Sequence, residues 1–236
     1  MCDEWMPVID LPIDHQQFSQ LPRNSAFKYE YYSGKCRLTP RPKHYHALHD
    51  LTLPATDMSP AISPIQSEDM ESLAAIFSGS FAHIQPFGSL DDDARQLAAR
   101  QVLMRTWSGG DGPWLRQASF TARDEGRILG SIWITLLPDG DPTDWDSFYW
   151  REPPPADCVE RRLGRPHLTW IFVAPLRAGQ GLGTALLAAS LRALGELGYS
   201  QLASTFMLGN DSSMLWHWRT GFRLLAYPGS ARRFVP

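Results

Sequence analysis

Apolar positions along the chain recur with two periods, and the places where one gives way to the other mark out the elements. Ala94, Leu97, Ala98, Val102 and Met104 fall near helical spacing, which predicts a helix from Asp91 to about Trp107, stopped by the run GGDG. In TALLAASLRALGEL a stripe of Leu187, Leu191 and Leu194 predicts a second long helix, with Gly198 placed to end it. The stretch AISPIQSEDMESLAAIF reads as a short strand running into a helix, with Ser67 as N-cap and acidic residues in the first turn. Strand character dominates elsewhere. ASFTAR and RILGSIWITLL flank Asp124-Glu125-Gly126 as a hairpin, and FKYEYY and KCRLT flank Ser33-Gly34 as another. HLTWIFV is almost continuously apolar and is expected at the centre of a sheet. SQLASTFML and FRLLAY supply two further strands, separated by a short helix from Asp211 to Thr220 that Asn210 caps and Gly221 stops.

From residue 61 onward the order is strand, two helices, two or three antiparallel strands, central strand, Gly-rich loop, helix, strand, helix, strand. That order predicts an α/β fold with a mixed sheet, the first two helices each laying one face on it. Residues 1 to about 25 are rich in Pro, Gln and Asp and are expected either to lie extended over another part of the protein or to be mobile. We therefore divide the chain into an N-terminal extension, 1–60, whose β-hairpin packs on a main domain, 61–236. Within the main domain, 138–166 is a long polar connection carrying Trp145, Phe148, Tyr149 and Trp150, which reads as an ordered flap. We expect the hairpin at 27–39 to cover the sheet edge left by the last strand.

Composition narrows the function classes. A net charge of −3 and a pI near 6.1 give no broad attraction toward nucleic acid or anionic membranes. No apolar run approaches the roughly 20 residues that span a bilayer, and the acidic, proline-broken start MCDEWMPVIDLP is unlike a signal peptide. Cys2, Cys36 and Cys158 are too far apart for a metal set and odd in number, which fits a reducing compartment; a cytoplasmic protein is the expectation. His44, His46 and His49 cluster, but no Cys or carboxylate set completes a metal site, so none is expected.

The strongest chemical signal is VAPLRAGQGLGTALL, Val173 to Leu187. It joins a buried strand to a helix through a turn where Gly179, Gly181 and Gly183 alternate with other residues, so that main-chain N–H groups can converge on an anion. A Rossmann fingerprint would need GxGxxG early in a βαβ unit, and a P-loop would need Gly-Lys-Ser/Thr; neither is present. The segment resembles the acetyl-CoA signature of the GNAT acetyltransferases, in which a strand ending Val-x-Pro precedes Arg/Gln-x-x-Gly-x-Gly. Ala178 stands at the Arg/Gln position, with Arg177 one residue early. Downstream, GNDSSMLWHWRTGFRLL resembles the family's Asn-x-x-Ala-x-x-Leu-Tyr-x-x-x-Gly-Phe element through Asn210, Ser213, Gly221 and Phe222, with His217 where the family has Tyr.

The resemblance implies a GNAT-like fold, a mostly antiparallel central sheet flanked by helices, and acetyl-CoA as co-substrate. It implies an acetyl group moved by direct attack of a primary amine in a ternary complex. The implied cofactor residues are Phe172, Val173, Ala178, Gly179, Gln180, Gly181, Leu182, Gly183, Thr184, Asn210 and Ser213. The implied catalytic groups are the Val173 N–H, which polarises the thioester, and His217, which protonates the leaving thiolate. Deprotonating the amine needs a base, for which His167, Glu160, Asp157 and Asp146 are candidates. Trp107, Trp114, Trp145, Tyr149 and Trp150 are candidate walls of a pocket for a small-molecule or peptide amine. Asp139, Asp141, Asp144 and Asp146 would suit a cationic one. Three alternatives stay open: a non-catalytic acyl-CoA-binding module, transfer of a longer acyl group, and a homodimer.

Overall fold

In the computed structural model, residues 9–22, 27–40, 44–51, 61–141, 150–207 and 210–225 are described. In chain order they form β1 (Ile9–Leu11), α1 (His15–Gln20), β2 (Phe27–Tyr32), β3 (Lys35–Pro40), β4 (His44–Asp50), β5 (Ala61–Pro64), α2 (Met70–Ser80) and α3 (Asp92–Trp107). There follow β6 (Phe120–Asp124), β7 (Arg127–Leu137), β8 (Arg165–Val173), α4 (Leu182–Glu196), β9 (Gln201–Met207), α5 (Asp211–Arg219) and β10 (Arg223–Leu224).

Seven strands make one sheet in the order β10-β4-β9-β8-β7-β6-β5. Every pairing in it is antiparallel except β8 with β9, which α4 connects as a crossover. The mixed, mostly antiparallel sheet flanked by helices is the expected fold. Both predicted hairpins turn through two residues of positive φ, Ser33 and Gly34 in one, Glu125 and Gly126 in the other, the backbone that matches the twist of the flanking strands.

The two faces of the sheet carry separate cores. On one, Ile132, Ile134 and Leu136 of β7, Leu168 of β8 and Leu202 and Phe206 of β9 meet Leu186, Leu187, Leu191 and Leu194 of α4 and Phe222 beside α5. On the other, Trp133 and Phe172 meet Leu73, Ala74 and Phe77 of α2 and Ala99, Val102 and Leu103 of α3. Caps fix the helix starts: Asp91 Oδ1 accepts from Ala94 N at 2.8 Å, and Asn210 Oδ1 from Ser213 N at 3.1 Å. At α2 the expected Ser67 cap is not made. Ser67 Oγ turns to Glu68, while the buried Asp69 accepts from Gln66 N and from Arg123.

The N-terminal region behaves differently from its sequence-based reading. The hairpin β2–β3 does not cover the sheet edge; with β1 it forms a separate three-stranded sheet, β1-β3-β2. Its core of Cys36 and Leu38 packs on Met207, at the end of β9. The place beside β9 is taken by β4, paired from His44↔Met207 to Asp50↔Gln201. In that strand His46 and His49 face opposite sides of the sheet. His49 Nε2–H donates to Thr220 O at 3.0 Å, and no set of three His, Cys, Asp or Glu side chains able to hold a metal occurs among the described residues.

Candidate functional site

The β8–β9 pairing is short, and its end opens a crevice. The two strands are in register only at His167↔Ala203 and Leu168↔Ser204. Directly beyond, β8 carries one residue more than β7: Trp133 faces Trp170 and Ile134 faces Leu168, leaving Thr169 as a bulge. Bulges bend a strand and re-aim its side chains. Here both Thr169 and Trp170 turn toward the α2–α3 side, Thr169 to Thr135 and Trp170 to Phe77.

At the upper end of β8, Ala174 N donates to Leu129 O at 2.7 Å. Alternate residues of an antiparallel strand turn their N–H to opposite edges, so the Val173 N–H points away from β7, to the edge that β9 has left. The Val173 carbonyl lies 2.6 Å from Ser80 Oγ at the end of α2. Opposite Val173 sits Gly130, where a Cβ would fall 2.7 Å from Phe172 O. Ser80 and Gly130 hold this strand end in place, and only the glycine left a trace in the sequence, as a gap in an apolar strand.

The loop after β8 leaves its amides available. Ala178 N–H is already spent on Pro175 O at 3.2 Å, so the first residue expected in the cradle contributes no donor. Ala185 N–H, in the first turn of α4, goes to Gly181 O at 3.0 Å. Between them, among the described residues, the amides of Gly179, Gln180, Gly181, Leu182, Gly183 and Thr184 take no protein acceptor. These amides lie before and within the first turn of a 15-residue helix, where the partial positive charge of its N-terminus adds to them. The three glycines serve different ends. Gly179 and Gly181 have φ of +75° and +81° with open space where a Cβ would be. Gly183 lets the Trp216 indole approach, its Nε1 standing 3.3 Å from where a Cβ would be. Arg177 is drawn aside to Asp124 at 3.0 Å.

His217 is 2 % exposed and held at both ring nitrogens. Nδ1 lies 2.7 Å from Ser213 O, which can only accept, so Nδ1 carries the proton; Nε2 then accepts from Ser204 Oγ at 2.7 Å. The ring stacks on Phe206 and meets Trp216 and Phe222 edge-on. Burial holds its pKa down at about 4, so it is neutral at pH 7. Asn210 and Ser213, placed with the cofactor from sequence, spend Asn210 Oδ1, Ser213 N and Ser213 O on capping α5 and on this histidine.

On the other face a line of hydroxyls crosses the sheet. Thr135 Oγ1 of β7 is 2.8 Å from Thr169 Oγ1, Thr169 Oγ1 is 3.2 Å from His167 Nδ1, and His167 Nε2 is 3.0 Å from Thr205 Oγ1 of β9. His167 therefore ties β8 to β9 within their two-residue pairing, near the root of the crevice. The other candidate bases lie elsewhere. Asp157 pairs with Arg161, and Glu160 is exposed in the same turn, which meets Gly198 past the C-terminus of α4 through Arg162. A helix of that length puts them about 20 Å from the glycine loop. Asp146 falls outside the described residues, as do Asp144, Trp145 and Tyr149.

The remaining expected pocket aromatics are partly buried and packed against the core. Trp107, Trp114 and Trp133 stack together with Arg116 over the first two, and Trp150 donates to Leu136 O at 2.9 Å, at the end of β7 remote from Val173. The rings that do stand beside the crevice are Trp170, Phe81 and Phe87, around Phe77.

Comparison with known structures gives the same architecture. PH1933 from Pyrococcus horikoshii superposes with a TM-score of 0.50 at 15 % identity, over 70 % of this chain and 90 % of that one. The PaiA N-acetyltransferase from Thermoplasma acidophilum, solved with coenzyme A, has a TM-score of 0.48 at 16 % identity over 70 % and 91 % of the chains. A GNAT family acetyltransferase from Brucella melitensis, solved with acetyl-CoA, has 0.44 at 18 % over 75 % and 88 %. At 15 % identity the likeness to PH1933 speaks to the fold alone. Curated protein sequences give no significant match. The acetyltransferase (GNAT) family model matches residues 85–222, more than half of the chain and the whole stretch from the α3 side of the sheet through the crevice, the glycine loop and α5. This chain belongs to the acetyltransferase (GNAT) family.

Proposed function

We propose that the protein is an N-acetyltransferase that moves an acetyl group from acetyl-CoA to a primary amine by direct attack in a ternary complex. The observation that carries this reading is the row of amides from Gly179 to Thr184, without an acceptor among the described residues, beside a strand end whose Val173 N–H faces an open crevice. A coenzyme A diphosphate fits donors of that kind at a helix N-terminus. Gly179, Gln180, Gly181, Leu182, Gly183 and Thr184 would hold it, with Phe172 and Val173 lining the strand edge and Asn210 and Ser213 forming the far wall at α5. Acetyl-CoA supplies an acyl carbon activated by sulfur. The Val173 N–H is placed to polarise the acyl oxygen, a donor of a kind worth about 3 kcal/mol to a transition state.

Proton balance assigns the rest. At pH 7 only roughly one alkylamine in a few thousand is unprotonated, so the amine must lose a proton before it attacks. Once the N–C bond forms, nitrogen has a second proton to lose as the C–S bond breaks and sulfur gains one; a thiol of pKa about 8.5 asks for little help. His217 enters this reading as a neutral wedge between α5 and β9, because both ring nitrogens are engaged and its pKa of about 4 leaves no proton to give at neutral pH. The acceptor, a small-molecule or peptide amine, comes from the α2–α3 side, where Trp170 and Phe81 are half-buried beside the crevice.

The test is calorimetric titration with acetyl-CoA followed by thiol release over a panel of primary amines. Expected are micromolar-range binding and turnover with at least one amine. Binding without turnover would convert the reading to a non-catalytic acyl-CoA module, and no binding would remove both.

A further inference from the structure

Building on that acetyl-transfer reading, we infer that Thr169 and His167 form the proton exit for the incoming amine. Thr169 Oγ1 takes a proton from the ammonium as it passes its own to His167 Nδ1.

Three observations converge on this pair. The first is position: His167 sits in the two-residue pairing of β8 with β9, one level before it ends, and Thr169 is the bulged residue where the crevice opens, on the side away from α4. An amine that reaches the crevice from that side meets the Thr169 hydroxyl before the imidazole, since His167 is nine-tenths buried and Thr169 less so. The second is direction. Each hydroxyl has one proton, and of the two senses that satisfy the contacts one runs toward the imidazole: Thr135 Oγ1–H to Thr169 Oγ1, Thr169 Oγ1–H to His167 Nδ1, and His167 Nε2–H to Thr205 Oγ1. In that sense the imidazole lone pair already faces the hydroxyl that faces the crevice. The third is distance among the described candidates, because Asp157 and Glu160 lie at the opposite end of α4.

The transfer balances as one proton moving. The ammonium becomes a neutral amine, Thr169 gives up one proton and regains one, and His167 becomes an imidazolium that later releases its proton to water. Titratable groups around His167 on this face are few among the described residues. His46 on β4 lies in register with Thr205, and the Asp111 carboxylate is reached from Trp170 through Thr106. The Cys36 thiol lies beyond Met207 in the small sheet.

The experiment pairs a pH profile with a readout that needs no turnover. His167→Gln is expected to lower kcat/KM about 100-fold at pH 7. The gap should close as pH rises toward 10, where free amine is abundant, with acetyl-CoA affinity unchanged. Nitrogen-15 spectra of the histidine rings in the unliganded protein should place the His167 proton on Nε2. Thr169→Val, which keeps the imidazole and the volume, should show the same pH-dependent deficit on a smaller scale and stands in should the Gln variant not fold. A loss equal at every pH, or a His167 proton found on Nδ1, overturns the inference and leaves acetyl transfer standing. A wild-type protein that binds acetyl-CoA but acetylates none of the amines overturns the transfer reading and this inference together.

Discussion

Two histidines attach to neighbouring residues of β9 from opposite faces, and they are built for different work. His217 meets Ser204 on the α4–α5 side, and His167 meets Thr205 on the α2–α3 side. The first gives its Nδ1 proton to a backbone carbonyl, is ringed by Phe206, Trp216 and Phe222, and leads nowhere. The second meets a hydroxyl at each ring nitrogen, one of which borders the crevice. A ring bonded to a carbonyl is pinned in one tautomer. A ring between hydroxyls can pass a proton along, because a hydroxyl donates and accepts at once. Position in a family-like motif pointed at His217; the bonding around each ring points at His167.

That contrast can be broken most forcefully at His217. His217→Ala removes a buried ring and strands Ser204 Oγ and Ser213 O, an expected loss of about 3 kcal/mol. In a chain of this length that lowers Tm by roughly 10 °C. Acetyl transfer at a temperature where the variant is folded should fall less than tenfold, and a loss comparable with that of His167→Gln would make His217 the proton carrier after all. The same residue sharpens the contrast through pH. Its folded pKa of about 4 lies below the ordinary 6.5, so its contribution is complete above pH 6.5 and is lost as pH falls toward 4. The loss over that window amounts to about 3 kcal/mol. Urea unfolding at pH 7 and pH 4.5 should show that slope, and His217→Gln should flatten it.

Smaller effects separate chemistry from packing. Thr169→Val is expected to slow turnover about tenfold at pH 7 while leaving the urea midpoint and coenzyme A affinity nearly unchanged. A stability loss with intact rate would reverse its assignment. Gly183→Ala, whose methyl must push the Trp216 indole by a few tenths of an ångström, should cost about 1 kcal/mol of stability and little affinity. Gly181→Ala, forced to hold a positive φ, should lose a similar amount and also weaken coenzyme binding, since its strain acts on the amides themselves.

Much of the fold was legible because local patterns and global structure agree over it. Both Gly-containing hairpin turns, the start of α3 near Asp91, the Leu stripe of α4, the Asn210 cap and the central place of β8 follow from residue spacing alone. What misled the reading was chemistry that looked like something else. HYHALHD carries apolar residues at only alternate and adjacent positions among its histidines, so its strand character was hidden by a metal-like cluster, although β4 lies inside the main sheet. The tryptophans near the 138–166 connection suggested a pocket, while Trp107, Trp114 and Trp150 are spent on stacking and on a main-chain carbonyl.

By itself the sequence determined where a turn of free amides must stand, since glycine at 179 and 181 permits a backbone that other residues resist, and a strand and a helix on either side set its direction. Only the tertiary structure decided which of those amides remain unspent, with Ala178 used by its own turn and 179 to 184 left over. It also set the bonding around each histidine, on which the proposed proton exit rests. A hydrogen bond from His167 to Thr205 joins residues 38 positions apart, and no local pattern records a partner that distant. Spacing along a chain specifies what a backbone can do, but the protonation and bonding of a side chain depend on which other strands fold against it.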